Sequence, residues 1–541
     1  MRKAHKLLAA ALSLTMACAL AVPAYAVDIN IQESSAISTY AAERSYNGYK
    51  LLNLTASSNE DETVNYAYTV NEKYRSVLQN QVFTAADDSF WTSNGGSKPA
   101  AATNVTDAQI LAYLGTLTSD SGENPGTLRG FADDLYKAIT TGSIAADETS
   151  HNATFDDVDQ GYWLIADVTN LEGTGEANSL VIVDTKGEDS ITVTPKTDVP
   201  EVEKKVKEEN DSTGTVTGWQ DGADYDIGDN VPFQLTGTMP SNIANYETYE
   251  YIFHDDLSTG LSLNVDSIVV KIGDEILTKD EDYTVNTSPS DAASGCDFEI
   301  VFTDILSVDG VTITKDSKVV VEYTAELTQD AVIGNNGNPN EVYLEFSNNP
   351  YDEGTGQTPE DKVTVFTFKL DVDKVDKDQQ PLKGAGFTLY KYDADQKTYV
   401  AVGSEVKGEQ MTNFVWSGLD SGKYKLVETT IPAGYNKADD IEFTIEATYT
   451  TDGADQTLTG LVVKNADGTE TISGDGEGFT FTTTVATGTV ATDVVNTTGI
   501  ELPSTGGVGT TLFYVVGGIL VVGAGVLLIT KKRMNTNSNE Q

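Results

Sequence analysis

Three polar residues in the C-terminal part of the chain are predicted to point into a protein core. Successive side chains of a strand alternate between its faces, which groups Lys374 with Leu370 and Val372, Glu428 with Tyr424 and Leu426, and Asn496 with Val494. Burial disfavours a charged amine, so an inward lysine could attack the side-chain carbon of an asparagine. Ammonia would leave while a carboxyl group moved the protons. The alternative is a buried Lys–Glu ion pair beside a hydrogen-bonded asparagine.

A second set of the same residue types occurs earlier in the chain. Strand alternation groups Lys204 with Val202 and Val206, Asp255 with Tyr251 and Phe253, and Asn348 with Leu344 and Phe346. This favours Lys204 over Lys205 and Asn348 over Asn349 as the inward residues, without excluding either neighbour. An exposed lysine pair and a turn-forming Asn-Asn-Pro remain the alternative.

Lys196 is expected to behave differently from these lysines. Ile191, Val193 and Pro195 occupy one face of their segment, and Lys196 lies on the opposite face with polar neighbours. It should therefore be solvated, beside a domain junction, and available to another molecule. A surface lysine without a function is the alternative.

Strands dominate the elements that must position these residues. Short runs of Val, Ile, Thr, Tyr and Phe alternate with Gly, Asn, Asp and Ser clusters, as in Val319–Tyr323, Val342–Phe346, Val363–Val375 and Phe479–Val485. Such spacing predicts a mainly β chain of tandem immunoglobulin-like sandwich domains. Apolar residues at helical spacing in Asp107–Leu117 and Leu128–Ile139 predict a few helices in the first domain. Domain boundaries are expected near Pro-containing segments, which gives domains at 28–196, 198–350 and 362–498.

Both ends of the chain carry targeting signals. Residues 1–26 combine a basic start, an apolar run and a small-residue cleavage site, as in a secretory signal. Leu512–Ile529 is an uncharged apolar stretch, long enough for a transmembrane helix in the precursor, and Lys531, Lys532 and Arg533 follow it. Leu502, Pro503, Ser504, Thr505 and Gly506 stand just before the span, so that residues 502–541 form one C-terminal segment.

Composition excludes several classes of function. The chain has 541 residues and a net charge of -49, which disfavours nucleic acid as a partner. Three His and two Cys leave little material for metal or nucleophile–base catalysis, so we expect no cofactor, no metal site, and hydrogen-bonded structural roles for His151 and His254. A glycosidase with paired carboxylates is a weak alternative, because 83 acidic residues make chance pairs inevitable. After export, Cys296 would be the remaining thiol.

The motif, span and basic tail together resemble the cell-wall sorting signal of Gram-positive surface proteins. The resemblance implies that a sortase attacks the carbonyl of Thr505 and releases Gly506 onward. Residues 424–435 fit the pattern YxLxExxxPxGY and resemble the E-box of Gram-positive pilins and Cna-B-type domains. For the third domain this implies an amide bond between Lys374 and Asn496, promoted by Glu428.

The middle domain resembles that of fimbrial backbone subunits, in which an aspartate takes the promoting role. The resemblance implies a Lys204–Asn348 bond promoted by Asp255. Lys196 ends a segment similar to the pilin motif VxVYPK, although Thr194 stands where that motif has Tyr. It would be the nucleophile that accepts Thr505 of the next subunit.

We therefore expect a structural backbone subunit of a covalently polymerised surface pilus, with single-turnover internal chemistry rather than enzymatic turnover. Its partners would be other copies of itself, a pilus sortase, minor pilins, peptidoglycan and a host surface ligand, and its location the cell wall. The alternative is a monomeric wall-anchored adhesin whose Cna-B-type domains form a stalk.

Overall fold

The computed structural model describes residues 26–32, 44–58, 64–119, 126–195, 197–289, 295–465, 480–498, 517, 519–522 and 524–528. These residues form several β-sandwich domains, with α-helices near the N-terminus. The expectation of a mainly β chain with a mixed first domain is confirmed. Short 3-10 turns lie at Ala102–Asn104, Ile243–Asn245, Ile305–Ser307 and Val485–Thr487.

The first domain combines two sheets with helices that cover one of them. Its strands are β1 (Ala26–Ile31), β2 (Tyr46–Ser58), β3 (Val64–Val70), β4 (Glu148–Ser150), β5 (Thr154–Asp159), β6 (Gly161–Asp167), β7 (Leu180–Asp184) and β8 (Ser190–Val193). Its helices are α1 (Arg75–Ala85), α2 (Asp88–Ser93), α3 (Asp107–Leu114) and α4 (Thr127–Thr141). One sheet has the order β5-β1-β8 and the other β3-β2-β6-β7, with β4 beside β2. Leu78 of α1 and Leu135 of α4 pack in one apolar cluster with Leu51 and Leu164 of the second sheet.

The middle domain is a sandwich of two larger sheets. Its strands are β9 (Val202–Val206), β10 (Glu209–Asn210), β11 (Thr215–Val216), β12 (Gly222–Asp224), β13 (Asn230–Thr238), β14 (Tyr251–Leu257), β15 (Leu261–Ile272), β16 (Glu275–Ile276), β17 (Thr284–Asn286), β18 (Phe298–Phe302), β19 (Lys318–Leu327), β20 (Asn338–Ser347), β21 (Thr355–Gln357) and β22 (Asp361–Phe366). The sheets run β12-β22-β20-β14-β18-β17, with β21 beside β20, and β16-β15-β19-β13-β9; β10 and β11 form a separate hairpin. Alternate residues of β13, β19 and β20 are buried between the sheets, because one face of each strand meets the core.

The third domain is a smaller sandwich. Its strands are β23 (Phe368–Asp376), β24 (Gly386–Asp393), β25 (Thr398–Ala401), β26 (Val406–Lys407), β27 (Asn413–Leu419), β28 (Gly422–Thr430), β29 (Ile441–Tyr449), β30 (Leu458–Asn465), β31 (Phe481–Thr484) and β32 (Thr489–Asn496). The sheets have the orders β27-β23-β32-β31 and β25-β24-β28-β29-β30, with β26 beside β24. Phe387, Phe414, Tyr424 and Phe443 pack in the core between them.

The boundary between the last two domains lies later than the sequence suggested. Strand β22 pairs with β12 in parallel and with β20 in antiparallel register, so residues 361–366 belong to the middle domain. The run Val363–Val375, which reads as one strand, is therefore two strands in two domains. Only Thr367 separates β22 from β23.

The C-terminal segment is described in part. Most of the predicted span 512–529 lies outside the described residues, and its residues 519–522 and 524–528 are helical. Within the described part of the chain, no helix is both long enough and apolar enough to cross a membrane. Of the predicted signal, residues 1–26, all but Ala26 lie outside the described residues.

Candidate isopeptide-bond sites

The third domain brings its three predicted residues together between the sheets. Lys374 lies on β23, Glu428 on β28 and Asn496 on β32, with side chains 0%, 2% and 1% exposed. Strands β23 and β32 are parallel, with Lys374 opposite Val494, which places Lys374 and Asn496 on the same face. The carboxamide Nδ2 of Asn496 donates a hydrogen bond of 2.8 Å to Oε1 of Glu428.

Burial favours the neutral form of the Lys374 amine. Its Nζ donates hydrogen bonds to the carbonyl oxygens of Val494 at 2.7 Å and Val375 at 3.1 Å. Burial lowers the pKa of Lys374 to about 8, against the opposing attraction of Glu428. A neutral amine is thus accessible to this buried lysine at moderate pH.

The middle domain contains a second buried group of the same residue types. Lys204 of β9 and Asp255 of β14 form an ion pair with an Nζ–Oδ2 distance of 2.6 Å, and both side chains are fully buried. The hydroxyl of Tyr323 donates to the same Oδ2 at 2.8 Å and accepts from Nδ2 of Asn340 at 2.8 Å. Burial lowers the pKa of Lys204 and raises that of Asp255, despite their mutual attraction.

The asparagine in this group is Asn340, and the prediction of Asn348 is wrong in position. Asn348 lies beyond the end of β20, where its Nδ2 donates to the carbonyl oxygens of Leu171 at 2.8 Å and Glu176 at 3.2 Å in the first domain. Asp255 opposes Val342 on β20, so Asn348 is six residues, or about 20 Å, farther along the strand. A lysine side chain cannot reach that far. Asn340 shares the strand face of Val342 and is fully buried.

Both asparagines keep one unpaired atom in the core. Among the described residues, Oδ1 of Asn340 and Oδ1 of Asn496 have no hydrogen-bond partner, and neither does Oδ1 of Asp255. Buried polar atoms are usually paired, and an unpaired one costs free energy. Such exceptions are expected where the groups are arranged for a reaction rather than for stability alone.

Comparisons with known proteins follow the same division of the chain. Residues 227–350 match the Cna-B-like domain of Gram-positive pilin backbone subunits, and 368–458 match a prealbumin-like fold domain. Residues 494–536 match the LPXTG cell wall anchor motif. The trypsin-resistant surface T6 protein of Streptococcus pyogenes serotype M6 is 27% identical over 402 residues, which cover 63% of this chain and 70% of that protein. The chain is a Gram-positive backbone pilin.

Solved pilin structures resemble this pilin over most of its length. The T6 backbone pilin of S. pyogenes has a TM-score of 0.49 at 17% identity, covering 88% of this chain and 98% of its own. The major pilin SpaD of Corynebacterium diphtheriae has a TM-score of 0.44 at 16% identity, with the same shares. The sequence suggested a Cna-B-type fold for the third domain, whereas the Cna-B-like match falls on the middle domain and the prealbumin-like match on the third. The pilin is a structural protein anchored to the cell wall by sortase through its LPXTG motif.

Lys196 and the sorting residues 502–506 of the pilin lie outside the described residues. The neighbours of Lys196 are described. Strand β8 runs parallel to β1 and leads to Thr194 and the buried Pro195. A cleft of about 180 Å³ lies against Val193 and Thr194, and Leu128 and Arg129 of α4 form its opposite side.

The junction of the middle and third domains in the pilin holds buried ionisable groups that the sequence did not reveal. Nζ of Lys391 in β24 lies 2.8 Å from Asp211, 2.6 Å from Asp226 and 2.8 Å from Asp420. Next to it, the backbone amide of Asp224 donates to Glu208 at 2.7 Å, and the Tyr449 hydroxyl donates to Asp224 at 2.8 Å. Burial raises the pKa values of Glu208 and Asp224. Residues that come together from separate domains leave no local pattern in the sequence.

Proposed function

We propose that this pilin forms a covalent fibre in which Thr505 of one subunit is joined to Lys196 of the next. We also propose internal isopeptide bonds between Lys204 and Asn340 and between Lys374 and Asn496. The observation that carries the internal bonds is that each sandwich buries a lysine, a carboxyl group and an asparagine together. Ionisable side chains are costly to bury, so two groups that each bury a lysine and a carboxyl group favour a reaction over a purely structural role.

In the third domain, the proposed bond forms between Nζ of Lys374 and Cγ of Asn496, and the Cγ–Nδ2 bond breaks. The amide nitrogen leaves as ammonia, with a proton that the amine gives up as it becomes an amide. Glu428 is placed to carry that proton, because its Oε1 lies 2.8 Å from the departing Nδ2. Its Oε2 accepts from the backbone amide of Ala438 at 2.7 Å, which holds the carboxyl group in orientation.

The middle domain would use the same reaction, with Tyr323 as an additional residue between the carboxyl group and the amide. Asp255 can take the proton from Lys204 directly, since Oδ2 is 2.6 Å from Nζ. The Tyr323 hydroxyl connects that oxygen to Nδ2 of Asn340, the atom that leaves as ammonia. Asp255 is thus proposed as the promoting carboxyl group, and Tyr323 as the residue that positions the amide.

The sorting signal supports the proposed coupling between subunits. Sortase would hold the subunit as a thioester through Thr505, and the amine of Lys196 in the next subunit would displace the enzyme. The cleft beside Val193 and Thr194 could receive the incoming chain end. We further propose that residues 1–26 are removed on export and that residues 512–529 hold the precursor in the membrane until sortase acts. Minor pilins, peptidoglycan and a host surface ligand are the proposed further partners.

Electrophoresis of cell-wall extracts under denaturing conditions tests the coupling. The unaltered pilin should give a ladder of high-mass species, and Lys196→Ala should leave monomers. Lys186→Ala is the matched control, because Lys186 is exposed on the same domain, and it should keep the ladder. A ladder that survives Lys196→Ala would place the nucleophile elsewhere. Absence of a ladder from the unaltered protein would favour the monomeric adhesin.

A further inference from the structure

A group of metal-binding side chains lies on the outer face of the middle domain. His254 of β14 points away from the core, opposite its neighbour Asp255, and packs against Glu299 of β18 and Cys296, which precedes that strand. The three residues offer an imidazole nitrogen, a thiol sulfur and a carboxylate oxygen that all lie within 4.8 Å of one another. His254 is buried, and Cys296 and Glu299 are partly exposed.

We propose that His254, Cys296 and Glu299 bind a divalent transition metal ion, with Zn²⁺ as the best match. This combination of nitrogen, sulfur and oxygen ligands suits zinc, whereas calcium and magnesium prefer oxygen ligands alone. The site is independent of the proposed isopeptide chemistry, since it lies on the opposite face of β14.

The spacing of the three atoms fits a tetrahedral ion. Nδ1 of His254 lies 3.3 Å from Oε1 of Glu299 and 3.7 Å from Sγ of Cys296, and Sγ lies 4.0 Å from the same Oε1. Zinc bonds of about 2.0 Å to nitrogen and oxygen and about 2.3 Å to sulfur place tetrahedral ligands about 3.3–3.6 Å apart. The observed distances require only a small movement of Cys296, which lies at the end of a loop.

The groups around the ligands have the arrangement expected of a metal site. Nε2 of His254 lies 3.1 Å from the carboxylate of Glu345, which holds the ring so that Nδ1 faces Cys296 and Glu299. The imidazole ring stacks on Tyr343 with centroids 4.4 Å apart and planes within 6°. Oε2 of Glu299 accepts from Asn286 at 2.8 Å. Two of the three ligands are therefore already oriented.

The partial exposure of Cys296 and Glu299 leaves the fourth position of the ion open to solvent. An ion there would fasten the start of β18 to β14. Binding requires the Cys296 thiol to lose its proton, as metal-bound thiols do. The fibre would then carry one exchangeable metal ion for each subunit, outside its load-bearing core.

Cobalt binding to the reduced, purified pilin tests the proposal, because Co²⁺ adopts zinc sites and its bond to a thiolate absorbs in the near ultraviolet. We expect one Co²⁺ per chain with this absorption, its loss on adding Zn²⁺, and slower alkylation of Cys296 with Zn²⁺ than with a chelator. Cys296→Ser should abolish the absorption. The proposal is overturned if the unaltered protein shows no such absorption, or if Cys296 is alkylated at the same rate with Zn²⁺ as with a chelator. The three side chains would then only be hydrogen-bonded to one another.

Further variants separate ligation from folding. Glu345→Gln keeps all three ligands and should weaken metal binding about 10–100-fold while preserving the absorption. His151→Ala, a histidine of the first domain that lies 3.0 Å from Ser45, should change nothing. Thermal unfolding in the presence of a chelator shows whether each variant folds. A folded His254→Ala variant should bind the metal more weakly, because it lacks one ligand. Unchanged affinity in folded Cys296→Ser would also contradict the proposal.

Discussion

Replacing Asn340 with alanine is the sharpest test of the chemistry in the middle domain. The variant loses the carboxamide that the proposed bond to Lys204 consumes, while the Lys204–Asp255 ion pair can remain. A crosslink that closes a loop as long as residues 204–340 is worth about 5 kcal/mol in the chain-entropy model. For a domain of this size, 1 kcal/mol shifts the melting temperature by about 2–4 °C. We therefore expect the middle domain of Asn340→Ala to unfold about 10–20 °C lower.

Intact mass spectrometry and calorimetry of the mature pilin measure the two consequences. The unaltered protein should be lighter than its sequence by two molecules of ammonia, and Asn340→Ala by one. Asn348→Ala is the matched control, because Asn348 is the same residue type just beyond the end of the same strand. It should keep both losses of ammonia, and it removes two hydrogen bonds to the first domain, each worth about 1 kcal/mol.

Two results would refute this reasoning. If Asn340→Ala still lacks two molecules of ammonia, the amide consumed lies elsewhere. If Asn348→Ala regains one, the reaction occurs in a different register of β20. If Asn340→Ala lacks only one molecule of ammonia but melts at the same temperature as the unaltered protein, the Lys204–Asn340 bond is supported. Its expected contribution to stability is then contradicted.

Glu428→Ala should restore one ammonia to the mass and lower the stability of the third domain by about 5 kcal/mol, and an unchanged mass would contradict its promoting role. Tyr323→Phe keeps the ring but removes the hydroxyl between Asp255 and Asn340; time-resolved mass spectrometry should show slower bond formation, whereas an unchanged rate would exclude the relay. Burial raises the pKa of Glu208 from 4.5 to about 9, so its contribution to stability is fully present below pH 4.5 and is lost as the pH rises towards the folded-state pKa. Thermal unfolding from pH 5 to pH 8 should show this decline, and Glu208→Gln should make the decline less steep; equal slopes would contradict the assignment.

The third-domain site could be predicted from the sequence because its signals are local. Lys374, Glu428 and Asn496 each lie in a strand whose alternation is unambiguous, and the E-box motif marks the central one. In the middle domain, alternation identified the correct face for Lys204 and Asp255. It could not identify the position along β20, because Asn338, Asn340 and Asn348 all have the same parity.

Local propensity and tertiary pairing conflict at the start of β20. Asn338-Pro339-Asn340 reads as a turn, yet β20 begins at Asn338 because β14 and β22 supply partners on both sides. Thr367 carries no signal that a domain ends there. His254, Cys296 and Glu299 are likewise invisible as a group, since the pairing of β14 with β18 alone brings them together.

The proposed bonds divide the pilin into parts that carry tension and parts that do not. Force that enters a subunit at Lys196 and leaves at Thr505 bypasses the first domain, which therefore needs no crosslink of its own. In the third domain, Lys374–Asn496 joins the first strand to the last, so little chain remains to extend. In the middle domain, Lys204–Asn340 protects residues 204–340 but not residues 341–366, because β22 follows the bond and leads directly into β23. That segment, about 90 Å when extended, contains most of β20 and all of β21 and β22. It is held by the pairing of β20 with β14 and of β22 with β20 and β12, without a covalent bond. The middle domain would thus be the extensible element of a fibre whose other load-bearing domain is covalently closed.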